Sequence, residues 1–152
     1  MKATNVESLF GLMDEAITLL QTEAELTYVE ALSETLENLS FEAKAQQVEG
    51  LPSNEAVERL NSLYKKMNLD ALDKEIIRKS IQLTFIKATK EDKLQMNHQM
   101  TPDTIAYLIA YFIGEIKKDK TEKLHVSDLA AGTGNLLNIV LAHLASRGNE
   151  VT

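Results

Sequence analysis

A short glycine-rich turn near the end of the chain constrains the fold more than any other feature. An alternating run, 124–127, precedes it and an apolar run, 136–144, follows it, so the order strand, turn, helix is predicted. Gly132 and Gly134 lack a Cβ, can adopt positive φ and let a ligand approach backbone N–H groups at a helix N-terminus. Asp128 ends the predicted strand and adds a carboxylate to the same crevice. The turn therefore suits a ligand with an ammonium group beside a carboxylate and a ribose.

The position of this turn predicts that further sequence belongs to it. A doubly wound fold needs several more βα units after the first, and the printed sequence stops at Thr152. We therefore expect the chain to be the front end of a larger protein. The strand over 124–128 would then lack both sheet neighbours, so we expect it to pair with a second copy or to leave the C-terminal residues disordered.

Composition narrows the class of protein. The N-terminal residues lack the apolar core of a signal peptide, and no apolar run approaches the roughly 18 residues of a membrane span, so a cytoplasmic protein without membrane contact is expected. The sequence has no cysteine, which excludes disulfides and thiolate ligands. The three histidines, His98, His125 and His143, are scattered, so no metal site is predicted.

Charge is distributed unevenly along the chain. Residues 1–60 contain 12 acidic and 3 basic residues, a net charge of −9, whereas residues 61–152 contain 11 acidic and 13 basic residues, a net charge of +2. The first segment should repel nucleic acid on electrostatic grounds. Any contact with a phosphate backbone would have to come from the second segment or from sequence beyond it.

Residues 1–95 carry the periodicity of amphipathic helices and are predicted to form a helical domain. A break at 50–54 offers Ser53 or Asn54 as an N-cap, and Asp70 or Asp73 can cap the helix after it. The apolar stripes predict the core, and the acidic stripe that includes Glu30 and Glu34 predicts a solvated face. The stripe positions are Val6, Leu9, Phe10, Met13, Ala16, Ile17, Leu20; Leu26, Val29, Leu32, Leu36, Leu39; Val57, Leu60, Leu63, Tyr64, Met67; and Leu72, Ile76, Ile77, Ile81, Leu83, Phe85, Ile86.

Thr101-Pro102 predicts the start of another helix after a connector. Threonine is a good N-cap and proline is favoured at the first helical position. The helix that follows is apolar around much of its circumference, so it should be buried on more than one side.

The turn also carries a family resemblance. The pattern Asp128-x-Ala130-x-Gly132-x-Gly134 resembles the first S-adenosylmethionine (SAM) motif of the N6-adenine DNA methyltransferases, with Leu129 and Ala131 in place of the family's proline and cysteine. Upstream, the segment around Thr101-Pro102 resembles the same family's Thr-Pro motif. The two motifs occur in the family's order and at about its separation, and the match covers residues 97–145.

The resemblance implies a mainly α chain: a helical N-terminal domain over 1–95, then the first strand, turn and helix of a truncated Rossmann-like methyltransferase domain over 96–152. It implies SAM as the cofactor and, for the full protein, adenine N6 of DNA as the methyl acceptor. The implied cofactor-binding residues are Thr101, Asp128, Ala130, Gly132, Gly134 and Asn135. No catalytic residue is predicted, because the family's Pro-Pro-aromatic motif is absent and the only prolines are Pro52 and Pro102.

Two other interpretations remain open at the level of sequence. The acidic helices could form an interaction or dimerisation module, with a homodimer built through the helical domain or through the unpaired strand. A nucleotide-binding Rossmann protein is disfavoured, because Leu137 stands where the dinucleotide fingerprint has its third glycine.

Overall fold

Six α-helices dominate the computed structural model, which describes residues 2–94, 100–117 and 123–152. The predicted mainly α architecture is confirmed. The residues divide into two compact units, Met1–Gln95 and Met96–Thr152. The helices are α1 (Val6–Ala24), α2 (Tyr28–Ser40), α3 (Asn54–Met67), α4 (Lys74–Glu91), α5 (Asp103–Ile116) and α6 (Asn135–Ser146), with a 3₁₀ turn at Leu69–Ala71.

Side-chain caps fix the starts of the first four helices. Thr27 and Glu30 form a capping box at α2, because each side chain bonds the backbone of the other. Ser53 caps α3 and Asp73 caps α4, which resolves both of the alternatives that the sequence leaves open. Asp70 lies instead in the 3₁₀ turn.

Most of the core of unit 1 comes from the predicted apolar stripes, and side chains of all four helices contribute to it. The predicted stripe of α4 is wrong in part, because Leu83 and Ile86 are exposed. The buried face of α4 is formed by the small residues Ser80, Thr84 and Ala88, and Ser80 Oγ donates to Val6 O of α1 over 3.2 Å. Each fully buried large apolar side chain stabilises the fold by roughly 1.5–3 kcal/mol. The large side chains that are fully buried here are Leu9, Met13, Ile17, Leu20, Tyr28, Leu60, Tyr64 and Met67.

Polar contacts also tie three helices of unit 1 together. The buried Tyr28 hydroxyl donates to Asp14 Oδ1 over 2.6 Å, and Lys87 Nζ lies 2.6 Å from the same oxygen. Lys87 Nζ also stands 5.2 Å from the centroid of the Tyr28 ring. Burial and the Asp14 carboxylate raise the pKa of the Tyr28 phenol, and the Asp14 hydrogen bond raises the pKa of the Lys87 ammonium.

The C-terminal end of α4 caps α2. The Asp92 carboxylate accepts hydrogen bonds from the backbone N–H of Tyr28, at 3.1 Å, and of Val29, at 2.7 Å. A carboxylate at this position satisfies two donors of the first helical turn and complements the positive end of the helix dipole. Asp92 therefore joins two helices that lie far apart in sequence.

Unit 2 packs α5 against α6 through small side chains. Ala106, Ala110 and Gly114 are the buried residues of α5, and they form one face at four-residue spacing. Within unit 2 the prediction that α5 is buried on more than one side is wrong, because large apolar residues outside this face are exposed. The large apolar residues left exposed there are Ile105, Tyr107, Leu108, Tyr111, Phe112 and Ile116.

The predicted strand at 124–128 is not formed as a strand within the described residues. Leu124 makes an isolated parallel bridge with Val151. The Leu124 N–H donates to Glu150 O over 2.8 Å and the Thr152 N–H donates to Leu124 O over 2.9 Å. The expectation that both neighbours are missing is therefore wrong on one side, where residues 150–152 lie alongside Leu124.

None of the helices in the described ranges is long and apolar enough to cross a membrane.

Candidate functional site

The glycine turn of unit 2 has the backbone geometry that its sequence predicts. Gly132 has φ +54° and Gly134 has φ +73°, in the left-handed region that favours glycine. The Gly134 N–H donates to Ala131 O over 2.7 Å and closes the turn. A Cβ added to Gly134 would lie 3.6 Å from Asn138 Nδ2, an ordinary contact, so the backbone conformation is what requires glycine here.

Helix α6 begins directly after this turn without a side-chain cap. Gly134 is its N-cap residue, and the Asn138 N–H donates to Gly134 O over 2.9 Å as the first helical bond. The N–H groups of an uncapped first turn need an acceptor, and the helix dipole favours a negatively charged one. The turn and the start of α6 can therefore bind an anionic or carbonyl group.

Asp128 supplies a carboxylate at the entrance to the turn. Its Oδ1 accepts from the Ala130 N–H over 2.9 Å, which fixes the side chain over the turn. The Asp128 side chain is half-buried, and its Oδ2 meets no donor among the residues described. That oxygen can accept from a ligand ammonium or hydroxyl group.

Asp128 and Ala130 also line an open cleft of about 420 Å³ between α5, the 126–130 segment and α6. The other predicted ligand residues, Thr101, Gly132, Gly134 and Asn135, are not part of its wall. Ile109, Ile113, Val126, Leu129, Leu136, Leu137 and Val140 complete an apolar lining, with Ser127. The cleft can therefore take an apolar surface beside the Asp128 carboxylate.

The structure brings Thr101 to the start of α6. Asn135 Nδ2 donates to Thr101 O over 3.0 Å and lies 3.3 Å from Asp103 Oδ1. The predicted capping is wrong: α5 begins at Asp103, Pro102 is the N-cap residue and no side chain caps the helix. Pro102 has an extended ψ of 138°, so it precedes the helix, which begins one residue later than predicted.

Asp103 is a contact that the sequence did not single out. A Thr-Pro-Asp segment is typical of a helix start, and an acidic residue such as Asp103 in the first turn is favoured by the helix dipole. The local sequence therefore gave no reason to expect a further role for Asp103. Its approach to Asn135 depends on the packing of α5 against α6, and no spacing rule predicts a pairing across 32 residues.

The histidines form no site in the described part of the chain. His125 is exposed, with Nδ1 2.8 Å from Thr152 Oγ1, and His143 Nε2 is buried without a hydrogen-bond partner. His98 lies outside the described residues. No group of three metal-ligating side chains occurs where the structure is described.

Comparison with known proteins defines the class of the helical unit. A family profile described as the YtxK N-terminal helical domain matches residues 7–89, which contain α2, α3 and nearly all of α1 and α4. This chain belongs to that YtxK-like family.

Two longer proteins are similar over nearly the whole chain. The protein YtxK of Bacillus subtilis, whose function is uncharacterised, is 36% identical over 147 residues, 97% of this chain and 44% of its own length. A Listeria monocytogenes protein, whose crystal structure is described as that of a candidate class I SAM-dependent methyltransferase, is also 36% identical. It superposes with a TM-score of 0.79 over 96% of this chain and 43% of its own length. The chain thus spans less than half of each relative.

Proposed function

We propose that unit 2 is the beginning of a SAM-binding methyltransferase domain and that the turn from Asp128 to Asn135 holds the methionine and sugar parts of SAM. The observation that carries the proposal is the turn itself, with positive φ at both glycines, an uncapped helix start and an oriented Asp128 carboxylate. The similarity to the Listeria protein over both units supports it.

Each group of the site has a role in this proposal. Asp128 Oδ2 accepts from the SAM ammonium, and the first turn of α6 donates to the carboxylate or approaches the sugar closely. Ala130 and Gly132 are exposed at the turn and leave room for the ligand backbone. Thr101 lies beside α6 and faces the carboxylate end, as the resemblance to the N6-adenine DNA methyltransferases implies.

The activity of the whole protein follows from the same proposal. Bound SAM supplies an activated methyl group on its sulfonium sulfur. The protein's contribution is to align an acceptor nitrogen with that methyl group and to exclude water. By family resemblance the acceptor is adenine N6 of DNA. These 152 residues contain neither a Pro-Pro-aromatic motif nor a complete doubly wound domain, so catalysis requires further sequence.

Calorimetric titration with SAM tests the proposal, using the polypeptide encoded by the complete gene beside the 152 residues alone. Asp128→Ala removes a charge-assisted hydrogen bond worth roughly 1.5–3 kcal/mol, so the affinity should fall about tenfold to a hundredfold. Asp70→Ala, the same charge change at an exposed position of unit 1, is the control.

The 152 residues alone should bind SAM weakly or not at all, since a ribose-binding acid and an adenine pocket are not among them. Unchanged affinity in Asp128→Ala, or equally tight binding by the 152 residues, would show that the site lies elsewhere.

A further inference from the structure

Asn135 is the most buried polar side chain of the candidate site. It is 5% exposed, although it is the first residue of α6 and follows an exposed glycine turn. Its side chain does not extend toward the open cleft, whose wall excludes it. The amide instead points back at Thr101 and at Asp103, the first residue of α5, which lie 34 and 32 residues earlier in the chain.

The two hydrogens of the Asn135 amide nitrogen have acceptors within the chain. Thr101 O lies 3.0 Å from Nδ2 and Asp103 Oδ1 lies 3.3 Å from it. An amide nitrogen has only two donors, so these contacts leave none for a ligand. The sequence-level assignment of Asn135 as a ligand contact therefore does not describe what its amide nitrogen does.

The Thr101–Pro102 peptide lies directly before the first residue of α5. Pro102 has no N–H, and α5 begins without a side-chain cap. The bond from Asn135 Nδ2 to the Thr101 carbonyl joins this peptide directly to the first residue of α6. The buried amide of Asn135 thus adds a direct tie between Thr101 and the start of α6 to the packing of α5 against α6.

We infer that Asn135 is a positioning residue, which holds Thr101 in register with the glycine turn so that the site can receive the amino-acid end of its ligand. The inference rests on the proposed SAM site and assigns separate roles to its residues. Asp128 and the turn contact the ligand, and Asn135 acts through Thr101. The effect of Asn135 should therefore be confined to ligands that carry the methionine carboxylate.

Two ligands separate this role from a general structural one. SAM carries the amino-acid end, whereas 5′-methylthioadenosine has the adenosine and sulfur but lacks it. Both are titrated into the polypeptide encoded by the complete gene, as wild type and as Asn135→Ala, Asp128→Ala and the control Ser146→Ala. Ser146 is exposed at the far end of α6. Circular dichroism and thermal unfolding monitor the fold of each variant.

Asn135→Ala removes the hydrogen bonds to Thr101 O and Asp103 Oδ1, so SAM affinity should fall about tenfold. The affinity for 5′-methylthioadenosine should stay within about twofold of wild type, because the inferred role of Asn135 concerns only the amino-acid end of the ligand. Equal loss for both ligands, or no loss for either, overturns the inference.

A swap variant keeps the test decisive if Asn135→Ala does not fold. In Asp103→Asn with Asn135→Asp the bond between the two side chains is kept with its direction reversed. The donor facing the Thr101 carbonyl is replaced by an acceptor. SAM affinity should therefore remain about tenfold weak while 5′-methylthioadenosine binds normally. Wild-type SAM affinity in the swap overturns the inference.

The two proposals fail in different ways. If Asp128→Ala weakens SAM binding and the Asn135 variants do not, the SAM site stands and the role of Asn135 is wrong. If Asp128→Ala has no effect either, the SAM site itself is wrong and the inference falls with it.

Discussion

At the scale of single residues, Gly134 carries the strongest local constraint in the candidate site. Its φ of +73° is accessible to glycine, while an ordinary L-residue in the left-handed region costs roughly 1–2 kcal/mol. A Cβ at this position would make only an ordinary contact, 3.6 Å from Asn138 Nδ2. A substitution there separates the effect of backbone strain from the effect of filling the ligand's space.

Gly134→Val should weaken SAM binding more than Asp128→Ala, because a β-branched side chain resists positive φ and occupies the ligand's space. Gly134→Asn should destabilise unit 2 less than Gly134→Val, since asparagine tolerates the left-handed region. It should still reduce SAM affinity. Urea unfolding and calorimetry on both variants give the two quantities, and full SAM affinity in Gly134→Asn would contradict the proposed ligand position.

Tyr28 predicts how the stability of unit 1 depends on pH. Burial, then the Asp14 hydrogen bond and charge, raise the pKa of the phenol above its ordinary value of 10.0, so the folded state holds this proton more tightly than the unfolded chain. The pKa of Lys87 is raised from 10.5 in the same sense. The contributions of both groups to the free energy of unfolding are fully present below about pH 10 and are lost as the pH rises above it.

Tyr28→Phe removes one of these two groups and its 2.6 Å hydrogen bond to Asp14. It should lower the free energy of unfolding by about 1–3 kcal/mol at neutral pH. It should also reduce the loss of stability on going from neutral pH to above pH 10.5, since of these two groups only Lys87 then remains to titrate. Thermal unfolding followed by circular dichroism measures both effects. An alkaline loss as large as that of wild type would rule out a contribution from Tyr28.

At the scale of helices, the sequence predicted those features that depend on contacts between residues close together in the chain, such as N-caps and the buried side of α1. Ser53 and Asp73 cap the helices that they precede, because an N-cap bond spans only two or three residues. The apolar stripe of α1 predicted the buried side of that helix for the same reason, since the period of the helix fixes which residues share a face.

Contacts between distant segments could not be predicted in this way. Asp92 reaches the start of α2 across more than 60 residues, and Asn135 reaches Thr101 across 34. The apolar sequence of α5 indicated burial on more than one side, but within unit 2 the fully buried face consists of Ala106, Ala110 and Gly114. The predicted strand at 124–128 depends on sheet neighbours, and residues 150–152 supply only a bridge.

Asp92→Ala tests the long-range cap. The substitution removes two hydrogen bonds between a carboxylate and backbone N–H groups of α2, so unit 1 should lose roughly 1.5–3 kcal/mol. Asp70→Ala changes the same charge at an exposed position and should stay within about 0.5 kcal/mol of wild type. Equal stabilities of the two variants in chemical denaturation would show that Asp92 does not hold α2.

At the scale of the whole molecule, the support for family membership comes from unit 1 and the support for the proposed function comes from unit 2. Unit 1 has its own core, with all of its buried apolar side chains drawn from residues 3–88, and it contains the match to the YtxK N-terminal helical domain. Unit 2 contains the candidate ligand site. The family membership rests mainly on unit 1, and the proposed function rests on unit 2 and on the longer relatives.

Hydrogen exchange followed by mass spectrometry, with and without SAM, tests the central claim most directly when it is applied to the polypeptide encoded by the complete gene. Bound SAM should slow exchange in peptides that cover the turn and first helical turn, 128–137, and in the peptide that contains Thr101. Peptides from α1 to α4 should exchange at the same rate in both conditions. Protection confined to α1 to α4, or saturating SAM binding without protection at 128–137, would contradict the assignment of the glycine turn as the cofactor site.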